Sequence, residues 1–242
     1  MSFLLAEWRK LALANYIVDK EILEKYVPFG TELDLWNGNC YVSLVGFMFK
    51  NTKLLGIKVP YHINFEEVNL RFYVKRFEKG EWKRGVVFIK EIVPKRALTF
   101  VANTVYKENY ETMPMNHFWE EDNSSRTVEY NWTKNGHKNS FRIKATQDEF
   151  DLIPDSETEF ITEHYYGYAK INERKSNEYE VRHPRWSIYK VLDYNIDVDF
   201  GEVYGKDFDF LSSKNPDSVM LAEGSEISVE HKKTIKTHYN TV

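Results

Sequence analysis

The sequence has 242 residues, of which 42% are hydrophobic and 16% aromatic, and its formal net charge is −4. A chain of this length buries roughly 70% or more of its unfolded surface, so it needs neither disulfides nor a structural metal to fold. The slightly acidic balance excludes the basic footprint of a nucleic-acid-binding protein.

The single cysteine, Cys40, cannot form an internal disulfide, which favours a reducing compartment. The first ten residues carry no basic segment followed by an apolar run, as a signal peptide would. No apolar stretch approaches the ~18–20 residues of a membrane span. We therefore expect a cytoplasmic protein without a membrane partner.

The first elements read from the sequence are a strand over Leu11–Val18 and a short helix that begins after Asp19. Asn37-Gly38 is a strong signal for a two-residue hairpin turn, which would place Leu33 opposite Val42. Residues 42–49 are apolar on both faces, which predicts a central strand.

A second hairpin is predicted between Asn64–Phe77 and Trp82–Val93, with its turn at Lys79-Gly80. If the turn is tight, the numbers of paired residues add up to the same sum as those of Glu78 and Glu81 at its ends. That register places Asn69 opposite Lys90.

Helical spacing follows over Ala97–Tyr106, and Asn135-Gly136 turns a third hairpin that pairs Tyr130 with Phe141. A fourth hairpin would pair residues 164–171 with residues 179–191. A last strand near 226–230 would close the sheet. Strands at short spacing with few helices predict a mainly β, decorated antiparallel β-barrel, formed by one domain over residues 1–231. Residues 232–242 are polar and predict a frayed tail.

Common catalytic and cofactor motifs are absent from the sequence. It contains no Gly-rich phosphate loop, no His-Glu-x-x-His, no Cys-x-x-Cys and no Gly-x-Ser-x-Gly. The histidines also lack metal-ligand spacing. We therefore predict no cofactor and no metal site.

The first candidate site is a polar set on one face of the second hairpin. If this face is exposed, the set is an ordinary surface ladder of ion pairs. If it lines the interior of a barrel, it is a candidate binding site with perturbed pKa values. Glu66, on the opposite face, is the alternative inward carboxylate. The set consists of Glu67, Asn69, Arg71 and Lys90.

The second candidate site combines two segments of the fourth hairpin that are rich in polar and aromatic residues. These segments predict either a ligand-binding floor, where Gly167 permits a close backbone approach, or a hydrated strand edge with a bulge at Pro184. The candidate ligand-binding residues are Glu163, His164, Tyr168, His183 and Arg185.

Lys95 and Lys107 are the candidate nucleophiles. A lysine becomes nucleophilic when burial or a neighbouring cation lowers its pKa. Lys95 has such a neighbour in Arg96, whereas Lys107 is followed by Glu108. Most lysines are solvated surface residues, and that alternative stays open for both.

Several long segments resemble the YqjF-like family of uncharacterised bacterial proteins, over about residues 5–231. These segments are residues 41–47 (YVSLVGF), 64–71 (NFEEVNLR), 85–94 (GVVFIKEIVP), 108–110 (ENY), 163–165 (EHY) and 183–186 (HPRW). The family is similar in fold to acetoacetate decarboxylase. The resemblance implies a decorated β-barrel around a hydrophobic pocket, in which a lysine forms a Schiff base with a keto acid.

Two registers carry the decarboxylase motif onto this chain. In one, Pro94-Lys95-Arg96 follows Glu91; in the other, Lys107 lies downstream of Glu66 or Glu67. If the protein is an enzyme, we expect Lys95 or Lys107 to attack a carbonyl, Glu67 to transfer the proton, and Arg71 or Arg185 to hold a substrate carboxylate.

Two classes of function remain open besides a lyase or decarboxylase-like enzyme. One is a non-enzymatic sensor or carrier for an apolar small molecule, and the other is a structural partner protein. In both of these classes the lysines stay exposed. A free sheet edge also leaves a homo-oligomer open.

Overall fold

The computed structural model describes residues 2–236, in which strands predominate. Its strands are β1 (Leu4–Val18), β2 (Glu32–Leu33), β3 (Cys40–Leu54), β4 (Phe65–Glu78), β5 (Glu81–Val93), β6 (Tyr110–Thr112), β7 (Met115–Glu121), β8 (Ser125–Lys134), β9 (His137–Phe150), β10 (Tyr166–Asn172), β11 (Lys175–Arg182), β12 (Ile188–Asp197), β13 (Ser218–Val229) and β14 (Lys233–Lys236).

The helices are short. They are α1 (Lys20–Glu24), α2 (Arg96–Val101), α3 (Glu157–Thr162) and α4 (Phe200–Tyr204), with a π-helical turn at Ala102–Tyr106 and a 3-10 helix at Lys206–Ser213. Among residues 2–236, no helix has the length and apolar content needed to cross a bilayer.

Seven strands close into a ring in the order β1, β3, β4, β5, β10, β11, β13 and back to β1. The β5–β10 pairing is parallel, and the other pairings in the ring are antiparallel. Strands β12, β9, β8 and β7 extend the sheet from β13 and pack over the outside of the ring. The mainly β fold class is confirmed, and the ring is compatible with the predicted barrel.

Strand β4 shows how the ring separates its two faces. Val68, Leu70, Phe72 and Val74 pack outward against the β8–β9 layer, while Tyr73 packs into the ring. The prediction that Glu67, Asn69 and Arg71 share one face of this strand is confirmed, because successive side chains of a strand point to opposite faces of the sheet.

One residue of strand β5 has no pairing partner in strand β4. From Glu78–Glu81 to Arg71–Phe88 the pairing follows the predicted constant sum. A bulge at Ile89 then shifts the register by one residue, so Asn69 lies opposite Glu91. The predicted pairing of Asn69 with Lys90 is therefore wrong beyond the bulge.

The turn at Asn37-Gly38 is present, with both residues at positive φ, but its hairpin carries a single bridge between Trp36 and Asn39. Val42 pairs with Tyr16 and Phe72 because β1 and β4 occupy both edges of β3. Strand β2 pairs instead with β4, so the predicted pairing of Leu33 with Val42 is wrong.

The third hairpin is confirmed, with Tyr130 opposite Phe141. The fourth is confirmed only as far as β11, which ends at Arg182 just before Pro184, a residue that cannot donate to a strand ladder. Residues from Ile188 onward form β12, which pairs with β9 and β13. In the predicted tail, β14 pairs with β11, and residues 237–242 lie outside the described residues.

Gly46 lets the outer layer approach the ring closely. A Cβ atom at this position would lie 2.7 Å from Cδ2 of Tyr130, which real Cβ contacts essentially never show. Tyr130 is fully buried, and its hydroxyl donates to the backbone carbonyl of Lys10 at 2.7 Å. A side chain at Gly46 therefore displaces a ring that joins β8 to β1.

We expect Gly46→Ala to lower the free energy of unfolding by about 1–3 kcal/mol, the usual cost of overpacking. Urea titration in the wild-type and Tyr130→Ala backgrounds tests the cause. Tyr130→Ala is itself destabilising, but it leaves room for a Cβ atom, so the second substitution costs less there. Additive losses would contradict this explanation.

Candidate functional site

The interior of the ring contains a cavity of about 240 Å³. All seven ring strands contribute side chains to its wall, and α2, the π-helical turn and the loop before β4 cover it. Most of the wall is apolar and much of it is aromatic. The aromatic residues are Phe3, Trp8, Phe47, Phe49, Phe65, Phe88, Tyr106, Tyr110, Tyr166, Tyr179 and Trp186.

Three glutamates end in this apolar cavity. Glu67 comes from β4, Glu91 from β5 beyond the bulge, and Glu108 from the segment between the π-helical turn and β6. Glu67 and Glu91 are each only 2% exposed. Glu108 is partly exposed as a residue, but its Oε1 is buried and unpartnered, as is Oε2 of Glu91.

Neutral donors surround these carboxyl groups. Asn69 Nδ2 donates to Glu67 Oε1 at 3.0 Å, and the Tyr110 hydroxyl donates to Glu67 Oε2 at 3.2 Å. The Tyr179 hydroxyl donates a hydrogen bond to the carboxyl group of Glu108. Tyr179 approaches closely because Gly167 lies opposite it, where a Cβ atom would be 2.1 Å from Tyr179 Cζ. The Tyr179 ring therefore occupies the space above Gly167, where the sequence predicted that a ligand could approach the backbone.

Burial sets the protonation of the cluster. It raises the pKa of Glu67 to about 7, against the hydrogen bonds from Asn69 and Tyr110 and the charge of Arg71. It also raises the pKa of Glu108 to about 7. Burial, and then the charges of Glu108 and Glu67, raise the pKa of Glu91 well above its usual range. The cluster therefore holds protons at neutral pH.

Arg71 is the cation of the cavity. It is 7% exposed, it lines the cavity, and its Nε has no hydrogen-bond partner. Its Cζ lies 5.7 Å from the centre of the Tyr73 ring. Within residues 2–236, no carboxylate forms an ion pair with it. A buried guanidinium without a partner is costly, so this one is available to an anion.

His164 enters the cavity from the segment before β10. Its Nε2 lies 3.2 Å from Oδ2 of Asp34, an oxygen that also accepts from Arg84 Nε at 2.7 Å. Burial lowers the pKa of His164 to about 4, against the hydrogen bond with Asp34. The imidazole is therefore neutral, and its Nδ1 is buried without a partner.

His183 forms part of the aromatic wall. Its ring stacks on Trp186 with centroids 4.2 Å apart, and on Tyr165 at 4.7 Å. Burial lowers its pKa, and its Nδ1 lies 2.9 Å from the Pro184 carbonyl. Trp8 packs nearby, and its indole Nε1 is buried without a hydrogen-bond partner.

The other predicted ligand residues lie outside the cavity. Tyr168 is fully buried in the outer core, and the Tyr165 hydroxyl donates to Glu163. Arg185 is exposed and forms an ion pair with Glu159.

Glu66 and Lys90 lie on the other side of the sheet from the cavity. Glu66 pairs with His117 Nδ1 at 2.7 Å; burial alone would raise its pKa, but this hydrogen bond and the charge of Lys95 lower it. Lys90 pairs with Glu111 at 2.8 Å. The bulge explains the correction for Lys90, because a shift of one residue moves a side chain to the opposite face.

Neither candidate nucleophile contacts the cavity. Lys107 ends the π-helical turn in the left-handed conformation, with φ 64°, and its side chain is exposed. Lys95 precedes α2 and is half-buried. No lysine of residues 2–236 lines the cavity, so the predicted Schiff-base chemistry has no amine at this site.

The candidate functional residues that sequence reasoning missed are Glu91, Glu108, Tyr110 and Tyr179. Glu108 and Tyr110 belong to one of the segments that carry the family resemblance, which was a usable signal. Glu91 depends on the bulge, which no local motif announces. In the part of the chain that the structure describes, no group of three or more His, Cys, Asp or Glu side chains is placed to hold a metal ion.

Comparison with known proteins identifies the family. The profile of the DUF2071 family, described as an uncharacterized conserved protein, matches residues 5–226. The chain belongs to this family. It is 28% identical over 183 residues to the uncharacterized protein YqjF of Bacillus subtilis (strain 168), which covers 74% of this chain and 72% of that protein.

Solved structures with the same fold include acetoacetate decarboxylase from Legionella pneumophila, with TM-score 0.66 and 10% identity over 96% of this chain and 86% of that chain. The enduracididine biosynthesis enzyme MppR complexed with pyruvate has TM-score 0.67 and 12% identity, over 97% and 91%. An acetoacetate decarboxylase-like enzyme from Sphingomonas wittichii has TM-score 0.64 and 9% identity, over 98% and 95%. The acetoacetate decarboxylase-like fold is thereby confirmed.

The raised pKa values give stability a defined pH dependence. A buried carboxyl group that keeps its proton stabilises the folded state fully below the unfolded pKa of about 4.3, and this stability is lost as pH rises through the folded pKa. The loss is about 1.4 kcal/mol per pH unit for each proton. Glu91→Gln mimics the protonated form. We therefore expect similar unfolding free energies at pH 5 and a more stable variant at pH 8, measured by urea titration.

Glu111→Gln is the control for this experiment. Burial tends to raise the pKa of Glu111, but Lys134 and Lys90 lower it overall. This control should therefore lose stability at pH 8. If Glu91→Gln changes the free energy of unfolding by the same amount at pH 8 as at pH 5, Glu91 is not held protonated in the fold.

Proposed function

We propose that the cavity binds a small oxo acid with an apolar body and that the carboxyl cluster transfers protons at its carbonyl end, as in a lyase. One observation carries the proposal: Arg71, which is buried and has no ion pair among residues 2–236, faces the same cavity as three carboxyl groups whose pKa values are raised by burial. The site thus combines an anchor for a carboxylate with groups that can act as acid and base.

Arg71 supports a carboxylate ligand on energetic grounds. A carboxylate that enters the cavity can accept two parallel hydrogen bonds from the guanidinium, which are stronger than neutral hydrogen bonds. Glu67 does not take this role, because its oxygens accept from Asn69 and Tyr110. The aromatic wall favours an apolar remainder of the ligand.

The carboxyl cluster supports proton transfer. A group with a pKa of about 7, such as Glu67, can both accept and donate a proton at neutral pH. When Glu67 removes a proton next to the carbonyl, the C–H electron pair forms the enolate double bond and the carbonyl electrons move to oxygen. Glu91, held protonated, can donate to that oxygen.

The same stabilisation serves lyase chemistry, because cleavage of a carbon–carbon bond next to a carbonyl also leaves an enolate. A lysine is not required when a neutral acid stabilises the enolate oxygen. MppR, whose fold is similar, has been crystallised with the oxo acid pyruvate, and other proteins of this fold are acetoacetate decarboxylases. These likenesses support an oxo acid as the class of ligand.

Binding tests the anchor. We expect phenylpyruvate to bind at least ten-fold more tightly than phenylacetone, which has a methyl group in place of the carboxylate, because a hydrogen bond to a charged group contributes about 1.5–3 kcal/mol. Arg71→Met should abolish this difference in calorimetric titration. Arg185→Met, which removes an exposed arginine, should preserve it. Equal affinities for the two compounds in the wild-type protein would overturn the carboxylate anchor.

Isotope exchange tests the chemistry. In D₂O, proton NMR should show that the wild-type protein accelerates exchange next to the carbonyl of pyruvate, acetoacetate or phenylpyruvate. Glu67→Gln should slow this exchange by about 10²-fold or more, the usual contribution of a general base.

The lysines are the controls for exchange. Lys95→Arg and Lys107→Arg should leave its rate unchanged, and borohydride should trap no saturable adduct on either residue. A saturable adduct, lost on substitution of that lysine, would restore the Schiff-base mechanism. Binding without exchange would favour a ligand-binding protein.

A further inference from the structure

We infer that Nδ1 of His164 is a hydrogen-bond acceptor that selects oxo acids bearing a hydroxyl group close to the carboxylate. The inference deepens the proposed function, because it rests on a ligand carboxylate bound at Arg71. It concerns a different atom, on a different segment of the chain, and has its own test.

The hydrogen bonds around His164 fix where its proton lies. Arg84 donates to Asp34, and although burial alone would raise the pKa of Asp34, its hydrogen bonds with His164 and Arg84 lower it. Asp34 is therefore an ionised acceptor. The nitrogen that faces it, Nε2, must carry the hydrogen. A neutral imidazole with its hydrogen on Nε2 has a lone pair on Nδ1.

The packing around His164 directs Nδ1 to the cavity. The imidazole lines the cavity and Asp34 does not, so the Nε2 edge of the ring faces away from the ligand space. Tyr73 lies against the ring at a centroid distance of 4.6 Å, and Phe160 meets it edge-on at 5.1 Å. Nδ1 is buried, and no polar group among residues 2–236 satisfies it.

Arg71 and His164 are neighbours across one aromatic ring. The Arg71 guanidinium lies against Tyr73, as does the His164 imidazole. The positive charge of Arg71 contributes to the lowered pKa of His164. Because both residues line the cavity and contact Tyr73, we take the carbon next to a carboxylate held by Arg71 to lie within reach of His164. A hydroxyl there can donate to Nδ1, whereas a hydrogen atom leaves a buried acceptor unpaired, which costs affinity.

A matched ligand pair tests the inference. Phenyllactate and hydrocinnamate share the phenyl group and the carboxylate and differ by one hydroxyl next to the carboxylate. We expect the wild-type protein to bind phenyllactate at least ten-fold more tightly, measured by calorimetric titration. The readout is the ratio of the two affinities. A loss of folded protein affects both measurements equally and therefore does not change this ratio.

Two substitutions separate the two nitrogens. His164→Gln keeps a donor near Nε2 for Asp34 and removes the acceptor at Nδ1, so the ratio should fall to about one. His164→Asn keeps an oxygen near Nδ1 and should retain part of the ratio. A wild-type ratio near one, or a ratio that survives in His164→Gln, would overturn the inference.

A neutral pair distinguishes failure of this inference from failure of the proposed function. If neither acid binds, the carboxylate anchor at Arg71 falls, and benzyl alcohol with toluene then tests His164 alone. Tighter binding of benzyl alcohol that His164→Gln abolishes supports the acceptor. Equal binding of the neutral pair overturns it.

Discussion

Ile89, the residue of β5 that has no partner in β4, determines which charged side chains of β5 face the interior of the ring. Without this bulge, Lys90 would face the interior and Glu91 would face the outer layer. With it, Phe88, Glu91 and Val93 all face inward, and Lys90 reaches Glu111 outside. A β-bulge re-aims every side chain beyond it, because the two faces of a strand alternate with period two. The acidic cluster is therefore a property of strand register as much as of residue type.

Charge balance inside the ring follows from this register. One fixed cation, Arg71, faces three carboxyl groups in an apolar enclosure, and burial of a charge is tolerated only when it is paired or neutralised. Protonation is the route open to the glutamates, while Arg71 cannot lose its charge. A ligand carboxylate bound to Arg71 adds a negative charge next to Glu67. Binding should therefore raise the proton affinity of the cluster further, which couples ligand entry to proton uptake.

The sequence predicted those features that local rules govern. Alternation in β4 correctly separated Val68 and Leu70 from Glu67 and Asn69, and the turn at Lys79-Gly80 gave the right pairing as far as Phe88. The error began at the bulge, which depends on how β5 fits against its neighbours rather than on a motif. Glu108 and Tyr179 were missed for a related reason. They meet only because the ring brings the end of the π-helical turn to β11, far apart in the sequence.

The position of the lysines leaves the cavity wall without an amine among residues 2–236. In a ring of this architecture, a nucleophilic amine requires a position whose side chain enters the cavity and loses water. Lys107 instead follows the π-helical turn in a left-handed conformation, and the next residue, Glu108, takes the inward position. The wall therefore presents an acid at the end of this turn, and its neighbours are two other acids and two phenols. Under the proposed lyase function, the electrons of a cleaved bond are accepted at a carbonyl oxygen stabilised by protonated Glu91, rather than at an imine.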